Sequence, residues 1–225
     1  MNFEVLRLTH ELAQGDMGSK TSADGLAEAL LPVLIHSMNN ATQLMANLST
    51  LARSGQGSSI NWIESRADDL LASSREIDRV GYMLAVLASA SGAELLGQRR
   101  VPEGLAWMTA AVAQAVRREG GALAEATHPV PLVRPGAAHG WEVCWAAGAL
   151  LRAAAVGSSR AEPLEWQWLD EGDSWVLVCA GPATAEFKAL GETVTRRLPE
   201  AELDLRSEGW SWRLPAAWLE AAGEF

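Results

Sequence analysis

One helical repeat constrains the fold of this chain more than any other feature. Between residues 61 and 96, apolar or small residues recur at alternating intervals of four and three positions, as in a coiled-coil heptad. The members of this stripe are Ile63, Ala67, Leu70, Ser74, Ile77, Gly81, Leu84, Ala88, Ser91 and Leu95. A single helical hairpin cannot bury so long a stripe. Two hairpins in a dimer form a four-helix bundle that does bury it.

A second helix is predicted immediately before this one. Ser22 or Asp24 is suited to cap its start, and the helical pattern continues to about Arg53. The run "SGQGSS" at 54–59 then has the composition of a loop. Residues 22–98 are therefore expected to form a helical hairpin, and residues 1–21 an N-terminal arm or short helix.

The composition of the sequence changes near "GQRRVPEG", residues 97–104. Eight of the nine prolines and nine of the ten tryptophans lie from Val101 onward. Helices are predicted at 103–120, 141–157 and 184–198, an extended piece at 128–135, and two β-hairpins at 164–181 and 201–216. Residues 99–225 are thus expected to form an α+β domain with a mostly antiparallel sheet and helices on one face.

Composition excludes several classes of protein. A formal net charge of -10 argues against broad nucleic-acid binding, which needs a basic face. Cys144 and Cys179 lie far apart without CxxC spacing, which is typical of a reducing compartment. The N-terminus does not resemble a signal peptide, and no uninterrupted apolar stretch reaches the length of a membrane span. A cytoplasmic protein without a membrane partner is expected.

The phase of the first helix places His36 away from its apolar side. At 100° per residue, Leu34, Ala41 and Met45 fall roughly 140–180° from His36 around the helix. Polar amide residues share the side of His36, within about 40° of it. They are Asn40, Gln43 and Asn47. His36 is therefore expected to be exposed in an uncharged, amide-rich strip.

An exposed histidine in this setting has two roles open to it. Its phase argues against a core residue, and no carboxylate, Cys or second His lies three or four positions away to complete a metal site. An inert surface residue is one remaining reading. The other is a nucleophile, because an exposed neutral imidazole attacks phosphorus near neutral pH.

The stretch "LIHSMNNATQLMANLSTL" resembles the phosphoacceptor helix of bacterial two-component histidine kinases. His36 takes the position of the phosphorylated histidine, Met38 that of the apolar residue and Asn40 that of the polar residue four places on. The hairpin resembles the dimerisation and phosphotransfer domain of the family, and the order of later elements resembles its ATP-binding domain. The resemblance covers about residues 24–218. It implies a homodimeric bundle followed by an ATPase-like α/β sandwich.

Several positions depart from the family pattern. Ala149 and Ala153 stand where the resemblance places residues that hold magnesium and ATP phosphates. Cys179 replaces the adenine-reading aspartate, and Gly191 is the one glycine in the place of a glycine-rich lid. Ser37 replaces the acid beside the phosphoacceptor. The resemblance therefore implies a degenerate kinase domain with no bound nucleotide or metal.

The leading hypothesis is a histidine phosphotransferase that relays phosphoryl groups between receiver-domain aspartates through His36. Magnesium would come from the response regulator receiver domain, and the docking face would include Ser37, Asn39, Gln43 and Asn47. One alternative is a response-regulator phosphatase that uses Asn40. Another is a non-catalytic pseudokinase scaffold, in which the tryptophans mark a partner surface rather than a packed core.

His10 in "LTHEL" is a second candidate phosphoacceptor, because an acid, Glu11, follows it. Its residue four places on is Gln14, and Gly15 and Gly18 end any helix there. The pattern therefore favours His36.

Overall fold

The computed structural model describes residues 22–53, 60–90, 101–134, 139–181 and 183–222. Their elements, in chain order, are helices α1 (Ser22–Arg53), α2 (Ile60–Ala90) and α3 (Gly104–Arg118), strand β1 (Leu132–Val133), helix α4 (Gly140–Ala154), strands β2 (Trp166–Asp170) and β3 (Ser174–Ala180), helix α5 (Ala185–Arg197), and strands β4 (Glu202–Leu205), β5 (Gly209–Pro215) and β6 (Leu219–Glu220). The predicted α+β class is confirmed. The predicted N-terminal arm, with His10, lies outside the described residues, as do Ser91 and Leu95 of the stripe.

The main sheet is antiparallel, with strand order β2-β3-β5-β4. Both predicted β-hairpins are present, and Gly172 takes a positive φ of 87° in the turn between β2 and β3. Trp168, Leu177 and Trp212 pair across three adjacent strands and are all buried. Because side chains alternate along a strand, this face carries an apolar row that packs against the helices. Most of the tryptophans thus lie in the core rather than on a partner surface.

A second, two-stranded sheet joins β1 to β6. The sequence predicted an extended piece at β1 but not its partner. The Val133 amide donates to the Pro102 carbonyl at 2.8 Å, and the Arg134 Nε donates to the Leu219 carbonyl at 2.7 Å. These bonds hold β1 and β6 beside the segment that leads into α3.

The base of the helical hairpin belongs to the same core as the second half. The hairpin side chains buried in this cluster include Leu26, Leu30, Val33 and Leu34 of α1 and Val80, Met83 and Leu87 of α2. They pack with α3 and α4, and Tyr82 of α2 stacks on Trp141 with ring centroids 4.6 Å apart. Full burial of one such aliphatic side chain stabilises a fold by about 1.5–3 kcal/mol. Several of them therefore hold the hairpin base firmly.

Helix α4 is buried on most sides, as its composition predicted. At Gly148 a β-carbon would lie 2.6 Å from the sulfur of Met108 in α3. The absence of a side chain at this position therefore allows α3 and α4 to approach closely.

Arg197 of α5 connects three helices. Its Nη2 donates to the carbonyl of Ala90, the last residue of α2, at 2.5 Å. Its guanidinium carbon also lies 4.7 Å from the ring centroid of Trp145 in α4. A cation at the C-terminus of a helix satisfies a free carbonyl and interacts well with the helix dipole.

Within the described ranges, no helix combines the length and apolar character needed to cross a membrane.

The contact between Tyr82 and Gly104 provides a test of this shared core. A β-carbon at Gly104 would lie 2.1 Å from the Tyr82 hydroxyl oxygen. We expect Gly104→Ala to lower the free energy of unfolding by about 1–3 kcal/mol, because the ring must leave its stack on Trp141. Urea denaturation measures this change. Alanine is otherwise the better helix former, so an unchanged or increased stability would contradict the packing.

Candidate functional site

His36 lies in the first half of α1, one turn after Pro32. The opposite side of the helix is buried against the rest of the chain, through Leu30, Leu34, Ala41 and Leu48. His36 itself is exposed. The structure therefore places the imidazole in solvent, just beyond the part of α1 that is anchored in the core.

The predicted docking residues follow His36 along the same helix. Asn39, Asn40, Gln43 and Asn47 are exposed, whereas Ser37 is half-buried. Of these side chains, Asn40 is the one hydrogen-bonded to His36 among the described residues. The amide groups of the exposed residues thus face solvent along this side of α1.

The bond between Asn40 and His36 defines the state of the imidazole. The Asn40 Nδ2 lies 3.2 Å from the His36 Nε2. An amide nitrogen can only donate, so Nε2 must accept and carry the lone pair. The proton of the neutral ring then resides on Nδ1. This tautomer leaves Nε2, the nitrogen farther from the backbone, as the nucleophilic atom.

The surface of α1 around His36 carries no fixed charge of its own. From Ala29 to Ala52 the helix contains no Asp, Glu, Lys or Arg. Ile35 and Leu44 flank the amide strip, with 50% and 36% of their surface exposed. The exposed face around His36 therefore combines one imidazole, several amides and exposed aliphatic side chains.

Ala149 and Ala153, where the family resemblance places nucleotide-site residues, lie in a closely packed part of the core. Ala149 and Ala153 of α4 are buried and face the start of α1 and helix α5, around a cavity of about 20 Å³. That volume corresponds to roughly one water molecule. Sites for drug-sized ligands commonly measure ~300–1,000 Å³. Gly25, Leu26 and Leu190 close the cavity around these alanines.

Cys179 of β3 is buried and pairs with Trp210 of β5. Desolvation by burial raises the pKa of the Cys179 thiol to about 12, so the group is neutral at physiological pH. Phe187 of α5 packs against Trp210, with ring centroids 5.0 Å apart. The amide of Phe187 donates to the Thr184 hydroxyl at 3.1 Å, which caps α5. Gly191 lies against Leu203 rather than in an open loop.

Sequence reasoning missed two features near these positions. The first is the ion pair between Arg152 and Glu119, 3.0 Å apart, which ties α4 to the end of α3. The second is the bond from Arg197 to the end of α2. Arginines at helix ends were a visible signal, but their partners are distant in the sequence and no local pattern identifies them.

Comparisons with known proteins give two kinds of result. No protein-family model matches the sequence, and no curated protein matches it. Among solved structures, the chain is similar to the cytoplasmic segment of histidine kinase QseC, at 15% identity and a TM-score of 0.35, over 67% of this chain and 93% of that one. It is also similar to the histidine kinase domain of a blue-light activated histidine kinase from Erythrobacter litoralis EL346. That match has 15% identity and a TM-score of 0.34, over 86% of this chain and 93% of the other.

The hydrogen bond from Asn40 makes a prediction about the ring of His36. We expect the neutral side chain to have its proton on Nδ1, and Asn40→Ala to shift the population towards the Nε2–H tautomer. Long-range ¹H–¹⁵N correlation spectra of the imidazole identify the protonated nitrogen. Gln43→Ala, which changes an amide farther along the strip, serves as the matched control. A tautomer population that is equal in the wild type and Asn40→Ala would contradict the assignment.

Proposed function

We propose that this protein is a histidine phosphotransferase, which relays phosphoryl groups between receiver-domain aspartates through His36 and does not bind ATP. The observation that carries the proposal is the exposed imidazole, whose Nε2 accepts a hydrogen bond from Asn40 and therefore carries the lone pair that the transfer requires. The proposed partners are response regulator receiver domains, as the resemblance to two-component histidine kinases implies.

The proposed chemistry needs little from this chain. Nε2 of His36 attacks the phosphorus of an aspartyl phosphate, the N–P bond forms, and the acyl P–O bond breaks to release the carboxylate. The reverse step delivers the group to a second receiver. Asn40, displaced from Nε2, is placed to donate to a phosphoryl oxygen. The receiver partner supplies the magnesium ion, which neutralises charge on the transferred group.

The rigid base of the hairpin supports this role. Leu34, two residues before His36, is 2% exposed and lies in the core that the hairpin shares with the second half. An imidazole on an anchored helix loses little freedom when a partner docks, and orientation of this kind contributes to the rate of group transfer. A mobile loop would not offer that advantage.

The interior of the second half supports the ATP-independent form of the proposal. The space around Ala149 and Ala153 measures about 20 Å³, and the neutral thiol of Cys179 lacks the charge of a carboxylate. Phosphoryl transfer from ATP depends on a metal and on positioned charges. We therefore expect phosphate to reach His36 from a phosphorylated receiver domain.

The direct test is transfer from a radiolabelled, phosphorylated receiver domain. We expect acid-labile, base-stable label on this protein, and a loss of at least about 100-fold in His36→Ala because the nucleophile is absent. His128→Ala, which removes another exposed histidine, is the matched control and should retain the label.

Three outcomes would overturn the proposal. One is label that persists in His36→Ala, since it would place the phosphoryl group elsewhere. Another is label acquired from ATP alone, or ATP binding at micromolar concentration, since either requires a working nucleotide site. The third is a receiver whose phosphorylation this protein does not change, since that result would favour a non-catalytic binding scaffold.

The exposed amide of Asn40 supports a second candidate, phosphatase activity towards the receiver. In that reaction the amide would orient a water molecule for attack on the aspartyl phosphate, and His36 would not be phosphorylated. Loss of receiver phosphate that stops in Asn40→Ala but continues in His36→Ala would favour this activity over the relay.

A homodimer is part of the proposal. Of the eight large apolar side chains exposed among the described residues, six lie on the hairpin. Leu70 belongs to the heptad stripe and is 38% exposed in the single chain, beside the exposed Ala67 and Ser74. Apolar surface in this arrangement is typical of helices that pack against a second copy.

Leu70 and its neighbour offer a matched pair of variants for the dimer. We expect Leu70→Asp to convert the dimer into a monomer, because a carboxylate would be buried in the bundle. Leu71 is 49% exposed but lies about 100° around the helix, so Leu71→Asp should remain dimeric. Light scattering coupled to size-exclusion chromatography measures the mass. A monomeric wild type, or equal effects of the two changes, would contradict the interface.

A further inference from the structure

Strand β4 forms an open edge of the main sheet. It pairs with β5 on one side, and among the described residues no strand lies on its other side. The opposite edge is partly covered, because Leu164, just before β2, exchanges backbone hydrogen bonds with Ala122 and Ala124. An exposed edge is a template for pairing with another chain. The edge at β4 is therefore a candidate interaction surface.

The backbone of β4 determines which residues would bond to an added strand. The Arg206 amide donates to the Gly209 carbonyl at 2.8 Å, so these two residues form a hydrogen-bonded pair. Such pairs alternate along an antiparallel ladder, so Asp204 also bonds to β5. The backbone groups of Leu203 and Leu205 therefore point away from the sheet.

An open groove of about 560 Å³ lies beside this edge, between β4 and α5. Leu203 and Leu205 line it on the strand, and Lys188 and Glu192 line it on the helix. Leu205 is 39% exposed. At the base, a β-carbon on Gly191 would come within 2.6 Å of Leu203. The inner face of the edge is thus an apolar surface next to outward-pointing backbone groups.

The outer face of the edge is balanced in charge. Glu202 lies opposite Arg213 of β5, and the Arg206 Nε lies 2.8 Å from the Asp204 carboxylate. These four side chains together carry no net charge, so they do not repel a copy of themselves. A guanidinium has five N–H donors, so Arg206 can bond to a second carboxylate without losing the first.

Two-fold symmetry restricts how two copies of this edge can pair. The outward-bonding residues of the two strands must face each other, so the axis passes through Leu203, Asp204 or Leu205. An axis at Leu203 places Glu202 opposite Asp204 of the second copy, twice, and like charges directly opposite destabilise a sheet. An axis at Leu205 places Leu203 opposite Ser207, which lies beyond the end of β4.

The remaining axis, at Asp204, makes the edge self-complementary. It places Glu202 opposite Arg206 of the second copy and Leu203 opposite Leu205, each pair occurring twice. Opposite charges and apolar pairs both stabilise cross-strand contacts. Asp204 meets its own copy, and an Arg206 guanidinium lies beside each of these carboxylates. The leucine pairs lie on the face that carries the groove.

We propose that β4 pairs with β4 of a second copy about a two-fold axis at Asp204, which continues the sheet across two chains. Leu203 and Leu205 of the second copy then cover the groove beside α5. Main-chain hydrogen bonds supply affinity, as in other cases of strand addition to a sheet edge, and the charged pairs set the register. The contact depends neither on the phosphotransfer proposal nor on the hairpin dimer.

The size of the contact determines when it forms. Stable interfaces bury about 1,200–2,000 Å², and smaller ones are transient. Strand β4 has four residues, so its pairing is a small interface that forms in concentrated protein. The hairpin dimer remains the main species in a dilute chromatographic run. Because both contacts are two-fold, hairpin dimers that join through β4 form a closed tetramer or an open chain.

Disulfide trapping in the full chain tests the register. Across a non-hydrogen-bonded pair the two Cα atoms lie about 4.5 Å apart, within the range of a disulfide. We therefore expect Asp204→Cys to cross-link two chains under oxidised glutathione at least tenfold faster than Glu202→Cys. The two copies of residue 202 are offset by four residues, or roughly 13 Å. The native thiols of Cys144 and Cys179 are buried and do not compete.

A charge exchange tests the same contact without cysteines. Glu202→Arg places arginines opposite each other at both ends of the ladder, and Arg206→Glu places glutamates there. We expect each variant alone to self-associate at least tenfold more weakly than the wild type, as measured by sedimentation equilibrium over a range of concentrations. An equimolar mixture of the two variants should recover the association, because opposite charges then face each other. Any change within either chain persists in the mixture, so recovery reports the contact between chains.

Three results would overturn the pairing. The first is a cross-link that forms no faster in Asp204→Cys than in Glu202→Cys. The second is a mixture of the charge variants that associates no more strongly than either variant alone. The third is a wild-type mass that does not rise with concentration. Failure of the hairpin dimer is distinguishable, because the mass would then rise from that of one chain rather than two.

Discussion

The packing of the hairpin base into the second half of the chain is the interaction on which the other features depend. Leu26, Leu30 and Leu34 of α1 are at most 2% exposed and share one core with α3 and α4. Beyond Leu34, burial on α1 becomes sparse. His36 therefore stands where an anchored helix emerges from the core, which makes the imidazole both exposed and fixed in position.

The same packing closes the interior of the second half. Gly25 and Leu26 lie over Ala149 and Ala153, so small side chains at those two positions allow α1 to approach α4. An asparagine at either position would bury an amide, which is unfavourable without hydrogen-bond partners. Phe187 against Trp210 extends the apolar packing towards the sheet.

Local patterns in the sequence predicted the elements but not how the halves join. The helical phase around His36, the alternation in β2 and the apolar run of β3 are properties of neighbouring residues, so they identified helices, turns and an exposed face. The bond from Arg197 to Ala90 and the pairing of β1 with β6 link residues far apart in the sequence. Periodicity contains no information about such partners. The heptad stripe of α2 shows this limit, because its members have different surroundings. Leu84 and Ala88 are buried within the chain, whereas Leu70 is exposed.

The lack of fixed charge between Ala29 and Ala52 of α1 bears on how a relay protein would recognise its partners. Charge complementarity gives specificity and rapid association, and like charges exclude incorrect partners. A relay must accept phosphate from one receiver and deliver it to another through the same face. An amide strip flanked by Ile35 and Leu44 excludes few receivers by charge, since amides both donate and accept hydrogen bonds. Discrimination would then depend on the fit of aliphatic contacts around His36. The acidic net charge of the protein resides elsewhere, so it influences the approach of a receiver more than its final docked contacts.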